Sequence, residues 1–299
     1  MKTTRRQLLA GGAALAAGAL AGAHSPARAA ESGGAAPRRT PLSLAAYSFR
    51  DLLPRGDKKG SMTLHDLLDL CPGWGLDAFE PTSYYFSSEE PEYLHSLKAK
   101  AFRLGLDISG TAVGNNFCLP EGDDRAREMA AMKRWIGNAV EIGAPVIRIF
   151  AGREDKKTDR ETAFSRVVEA VKEACDYAGS RGVFLAVENH GYLTETAADV
   201  LRILETVNHE WLAVNLDTGN FDADPYGEMA KLAPKALNVQ VKAAVTVDGK
   251  KEAADFTRIA AVLRAANYRG CVALEYEEKE DPMTAVPPML AKLRAALDA

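Results

Sequence analysis

Eight short apolar runs recur along the chain at a spacing near thirty residues, and an amphipathic stretch follows each one. The runs are LSLAAYSF (42–49), LDAFEP (76–81), LDISGTAV (106–113), APVIRIFAG (144–152), VFLAVENH (183–190), LAVNLDTG (212–219), LNVQVKA (237–243) and CVALEYE (271–277). The stretches between them carry helical periodicity. They include SMTLHDLLDL (61–70), PEYLHSLKAKAFRLG (91–105), REMAAMKRWIGNAVEIG (127–143), ETAFSRVVEAVKEACDYAGSRG (161–182), TAADVLRILETV (196–207), YGEMAKLAP (226–234), FTRIAAVLRAANYRG (256–270) and PPMLAKLRAAL (287–297). Alternating β and α elements imply a parallel sheet with helices outside. Eight such units in roughly 250 residues predict a closed (β/α)8 TIM barrel rather than an open doubly wound sheet. No Gly-x-Gly-x-x-Gly follows the first strand, so a dinucleotide fold has no support. The segments GNNFCLPEGDDRA (114–126) and EEKEDPMTAVPP (277–288) are expected as long loops that partly cover a site.

The barrel accounts for residues 42–299. Residues 1–29 carry paired Arg5 and Arg6, an Ala/Gly/Leu run, and Ala27-Arg28-Ala29 as a cleavage site. This pattern resembles a twin-arginine export signal and predicts a periplasmic or extracellular protein, with no stable membrane insertion once the signal is cleaved. Residues 30–41 read as a small, polar tether. The whole chain has 37 basic and 41 acidic residues. Without Lys2, Arg5, Arg6 and Arg28 the formal charge is −8. This excess of acid argues against nucleic acid as a partner. Cys71, Cys118, Cys175 and Cys271 show no C-x-x-C spacing and read as buried free thiols. The oligomeric state is left open, a homo-oligomer included.

In such a barrel, reactive groups gather at the carboxyl ends of the strands. Side chains alternate along a strand, so Asn238, Gln240 and Lys242 share the inward face opposite Leu237, Val239 and Val241. Inward phase and strand-end position also single out Glu188, Asp217 and Glu275. Carboxylates crowded in one mouth repel unless a cation lies between them. With the Gln240 amide oxygen they make an all-oxygen donor set for one divalent ion, Mn²⁺ before Mg²⁺, Co²⁺ or Zn²⁺. Lys242 can balance the remaining negative charge or contact substrate. His190 shares the phase of Glu188 and reads as a substrate contact or a partner of the ligands. Glu80 and Arg148 read as substrate contacts or as an ion pair inside the barrel. Asn220 and Asn115 are expected at substrate hydroxyls. Tyr47, Phe49, Trp74, Tyr84, Tyr85, Phe86 and Phe117 offer an aromatic wall for a sugar face, with Tyr47 as the substrate contact.

VENH (187–190), LDTGN (216–220), VQVK (239–242) and ALEYE (273–277), in this order and spacing, resemble the xylose isomerase-like TIM barrels, often called sugar phosphate isomerases/epimerases. The resemblance spans about residues 42–296. It implies that Glu188, Asp217 and Glu275 bind the metal and that the two Glu also move protons. Gln240 stands where many members have His. The implied reaction is metal-dependent isomerisation or epimerisation of a sugar through an enediolate. A β-eliminating lyase or dehydratase on a keto sugar or 3-keto-glycoside uses the same intermediate, and a non-catalytic sugar-binding barrel is the third reading. The export signal favours an unphosphorylated sugar or keto sugar as the small-molecule substrate. The mature chain keeps only His65, His95, His190 and His209, too few for the trinuclear zinc site of the related abasic-site endonucleases.

Overall fold

The computed structural model describes residues 39–153 and 155–299. The segment expected as export signal (1–29) and most of the expected tether (30–41) lie outside the described residues. Parallel strands form the barrel staves: β1 (Leu42–Ala45), β2 (Ala78–Glu80), β3 (Asp107–Ile108), β4 (Thr111–Ala112), β5 (Val146–Ile149), β6 (Phe184–Glu188), β7 (Leu212–Asp217) and β8 (Ala236–Val241). A hairpin of β9 (Ala244–Val247) and β10 (Lys250–Ala253) follows, and β11 (Cys271–Leu274) completes the ring. The outer helices are α1 (Leu64–Leu70), α2 (Pro91–Arg103), α3 (Asp123–Ile142), α4 (Arg160–Ser180), α5 (Ala197–Val207), α6 (Pro225–Leu232), α7 (Phe256–Ala265) and α8 (Pro282–Asp298).

The order around the sheet is β3-β2-β1-β11-β8-β7-β6-β5-β4. β3 and β4 are two halves of the third stave, split at Ser109-Gly110. The first half pairs with β2 and the second with β5. A parallel bridge between Thr82 and Ala112 brings the two ends together. At Gly110 the chain passes close to β5. A Cβ there would lie 2.9 Å from Val146 Cγ1 and 3.1 Å from the Val146 carbonyl. In Gly110→Ala, overpacking against backbone costs about 1–3 kcal/mol. That exceeds the roughly 0.5–1 kcal/mol alanine gains in chain entropy. A net loss of stability, read by urea unfolding, is the expected result.

Local chemistry sets the helix ends. Thr63 with Asp66, and Thr196 with Asp199, form capping boxes that open α1 and α5. Gly143 closes α3 in the left-handed conformation at φ 80°. The last helix begins earlier than the sequence pattern implies. Pro282 takes its first position and Asp281 Oδ1 accepts from the Met283 N–H at 3.1 Å, so Pro287 and Pro288 fall inside α8. The loop expected over 277–288 is therefore short.

The hairpin is absent from the sequence reading above. Its turn, Asp248-Gly249, has φ 48° and 73°, the conformation that favours Asp-Gly in two-residue hairpin loops. Cys71, Cys118 and Cys175 are buried thiols outside any disulfide, as expected, whereas Cys271 is half-buried. Among the described residues no helix is long and apolar enough to cross a membrane.

Candidate active site

The barrel interior is polar where many barrels stack branched aliphatics. Near the middle, Asn238, Gln240, Glu80 and Asn215 interlock, each fully or almost fully buried. Gln240 Nε2 donates to Glu80 Oε1 at 2.6 Å, and Asn238 Nδ2 donates to Glu80 Oε2 at 2.5 Å. Asn238 Nδ2 also donates to Asn215 Oδ1 at 2.8 Å, and Asn215 Nδ2 donates to Gln240 Oε1 at 2.7 Å. Burial pushes the Glu80 carboxyl up to about 6, with the Glu275 charge adding to the rise and the two amide donors opposing it. Two expectations change here. Gln240 does face the axis, but its oxygen is engaged by Asn215 and its nitrogen by Glu80. Glu80 sits within this closed network and does not line the cavity above it, so it is a structural group rather than a substrate contact.

One level higher stand the charges. Glu188 and Asp217 end their strands, while Lys242 and Glu275 stand one residue beyond theirs. Lys242 Nζ lies 2.5 Å from Glu275 Oε2, 3.1 Å from Asp217 Oδ2 and 3.0 Å from Glu277 Oε1. Asp217 Oδ1 accepts from the Gly219 N–H at 2.8 Å. Arg148 Nε pairs with Glu188 Oε2 at 2.9 Å, and Asn220 Nδ2 donates to Glu188 Oε1 at 3.0 Å. The two glutamates differ in environment. Burial raises Glu188 to about 7, against the pull of Arg148. Burial also presses Glu275 upward, but the Lys242 ammonium outweighs it and holds the carboxyl below its ordinary value. Burial raises Asp217 despite Lys242. Lys242 itself stays charged: burial opposes the ammonium, and the surrounding carboxylates more than compensate.

Above this layer opens a cavity of about 120 Å³ lined by Tyr47, Tyr84 and Phe150, by Glu188, Glu275 and Glu277, and by Arg55, Arg148 and Lys242, with His190 and Asn220 at its edge. Its volume suits a small molecule. The structure thus brings Glu188, Glu275, Lys242, Arg148, His190, Asn220 and Tyr47 to one cavity. Asn115 is not among them. Its Nδ2 donates to the Phe150 carbonyl at 2.7 Å and its Oδ1 accepts from the Phe150 N–H at 2.8 Å, so it is spent on holding backbone. Phe49 stacks on Trp74, and Phe86 packs on Trp135, away from the cavity lining.

Three lining residues were missed. Phe150 and Glu277 lie two residues beyond Arg148 and Glu275, and the same inward phase points to both. Arg55 stacks its guanidinium 4.3 Å from the Tyr84 ring centre. It comes from the loop after β1, where no periodicity applies.

The expected metal cage does not form from these residues. Gln240 is turned into the lower network, both Glu188 oxygens are engaged by Arg148 and Asn220, and Lys242 holds Asp217 and Glu275. Among the described residues no group of three or more His, Cys, Asp and Glu is arranged to hold a metal ion. As arranged here, Lys242 stands between Asp217 and Glu275, and Asp217 Oδ2 is left buried without a hydrogen-bond partner.

Comparison with known proteins follows the same outline. A family model described as a xylose isomerase-like TIM barrel matches residues 68–296. No curated protein matches the chain in sequence. D-psicose 3-epimerase from Clostridium cellulolyticum H10, solved with D-tagatose, superposes with a TM-score of 0.69 at 18% identity, over 86% of this chain and 97% of that one. 3-Keto-D-glucoside 4-epimerase from E. coli gives 0.70 at 16% identity, over 86% and 100%. A xylose isomerase-like TIM barrel protein from Mycobacterium smegmatis in complex with magnesium gives 0.65 at 17% identity, over 86% and 98%. At these identities the likeness is one of fold. Strand order, polar strand ends and the family match agree: the chain belongs to the xylose isomerase-like TIM barrel family.

Proposed function

We propose that this protein is a sugar isomerase or epimerase that removes a proton next to a carbonyl and passes through an enediolate. One observation carries the reading. Glu188 and Glu275 stand three strands apart on the rim, on β6 and just beyond β11, and line the same small cavity. Two carboxylates facing one substrate from different sides are what epimerisation requires, one to take a proton and one to supply another. Their environments push them apart, which divides the roles. Glu275, kept ionised by Lys242, receives the α-proton. Glu188, raised toward neutrality, returns a proton to the same carbon on the opposite face or to its neighbour. Arg148 and Lys242 stand beside the two carboxylates and can offset negative charge on the enediolate oxygens. Tyr47, Tyr84 and Phe150 offer apolar faces to a sugar ring, while Asn220 and His190 reach its hydroxyls. The epimerases among the structural neighbours support this substrate class. Arg5 and Arg6 with the Ala/Gly run support export, and an exported enzyme meets free keto sugars or keto glycosides rather than sugar phosphates.

The test is a panel of keto sugars in deuterated solvent, followed by NMR. Uptake of deuterium at one α-carbon together with appearance of an epimer or isomer is expected. An unsaturated product absorbing in the ultraviolet identifies elimination instead. Binding without any exchange across the panel, with and without added Mn²⁺, refutes the enzyme reading.

A further inference from the structure

Members of this fold set can hold a divalent ion, as the magnesium-bound neighbour shows for itself. In this chain a lysine stands among the carboxylates. We infer that the Lys242 ammonium takes the place of a divalent cation, so that the site is a built-in cation centre that does not load metal.

Four observations support this. First, the ammonium donates to Glu275 Oε2 at 2.5 Å and stands within ion-pair distance of Asp217 Oδ2 at 3.1 Å and Glu277 Oε1 at 3.0 Å, although Asp217 Oδ2 itself accepts no hydrogen bond. A hard divalent ion would need oxygens of Asp217 and Glu275 at roughly 2.0–2.6 Å, which the ammonium between them prevents. Second, the lysine is fixed rather than draped. It is 7% exposed, and its backbone N–H donates to Thr218 Oγ1 at 2.9 Å. Third, Gly219 leaves room for its stem. A Cβ there would lie 2.4 Å from Lys242 Cγ and 2.9 Å from Lys242 Cβ. Fourth, the resident cations offset most of the carboxylate charge. Glu188, Glu275 and Glu277, with Asp217 beneath them, face Arg55, Arg148 and Lys242, four against three.

An ammonium is a compact, strongly directed charge, able to stabilise an oxygen that becomes negative. Glu277, whose side chain is 41% exposed, is the partner most readily exchanged for such an oxygen. Asp217 and Glu275 would remain as the fixed anchors of the charge.

The test is equilibrium Mn²⁺ binding to the purified, chelator-treated full chain, read by loss of the free-ion electron paramagnetic resonance signal. It needs no substrate and no turnover. Wild type is expected to hold no stoichiometric Mn²⁺ at micromolar free ion. Lys242→Met is expected to take up one equivalent, with affinity at least about tenfold higher than wild type. Circular dichroism checks that the variant is folded. Gly219→Ala, which displaces the lysine stem, serves as the second variant and is expected to shift in the same direction. One tightly held Mn²⁺ in wild type overturns the inference. So does the absence of binding in both folded variants, because the carboxylates would then not form a cation site. Failure of the keto-sugar assay would count against the proposed reaction and leave this binding comparison standing.

Discussion

Glu188→Gln cuts product formation by about 10²–10⁴-fold, the usual contribution of one general acid–base group. It leaves exchange of the α-proton with solvent largely intact. Glutamine keeps the shape of the side chain and its contacts with Asn220, but it cannot deliver a proton. Glu275 still faces the substrate and still removes the proton on its own side, so deuterium is washed in without inversion or transfer. Glu275→Gln loses both exchange and product, because the ionised group that starts the reaction is gone. The pair is measured with one keto sugar by NMR, following solvent deuterium at the α-carbon and product signals in the same sample. Equal loss of exchange in both variants would remove the division of roles and leave the carboxylates as joint binding groups.

Glu80→Ala lowers stability at pH 7 by about 2–4 kcal/mol without reaching the cavity. Deleting the carboxylate strands buried N–H donors on Asn238 and Gln240, each costing about 1–3 kcal/mol when unpaired. It also leaves a void within the barrel. Part of this loss is offset, since the charge on Glu80 is itself held against burial. Its carboxyl sits at about 6, above the ordinary 4.5, so the proton is bound more tightly in the folded state than in the unfolded one. That burden is present above pH 6 and disappears as pH falls through 6 toward 4.5. Wild type therefore gains on the variant in mild acid, by about 1 kcal/mol at pH 5 and about 2 kcal/mol well below 4.5, on the scale of 1.36 kcal/mol per unit. Urea unfolding of both proteins at pH 7 and pH 5 reads the two effects together. A gap that narrows in acid would contradict the sign.

Much of the architecture was legible because it is periodic. Each strand–helix unit must bury one sheet position and one helix stripe, and the spacing of the apolar runs records both. Phase along a strand was equally informative. It turned Asn238, Gln240 and Lys242 inward, and the structure agrees. What phase does not record is height along the barrel axis. Gln240 is paired in register with Ala273, two residues before Lys242 and Glu275 on their strands. Its partners are fixed by neighbouring strands that lie near it only after folding. The same limit explains Asn115, whose pairing with the Phe150 backbone joins loops 35 residues apart. Arg55 was hidden for a different reason, since loop side chains obey no repeat. The hairpin was not hidden: Asp248-Gly249 between polar and β-branched residues carried its signal.

The split third stave has a consequence for how the ring bears stress. In hydrogen-bonding order the barrel is an open ribbon whose two margins are joined by the chain through Ser109-Gly110 and by the bridge between Thr82 and Ala112. β11, β8 and β7 occupy the middle of that ribbon, while β6, which carries Glu188, is separated from the β4 margin by β5 alone. Loosening that begins at the join crosses β2 and β1 before it reaches Glu275, but β5 alone before it reaches Glu188. The two glutamates are thereby unequally sheltered from the seam of their own frame, Glu188 the less.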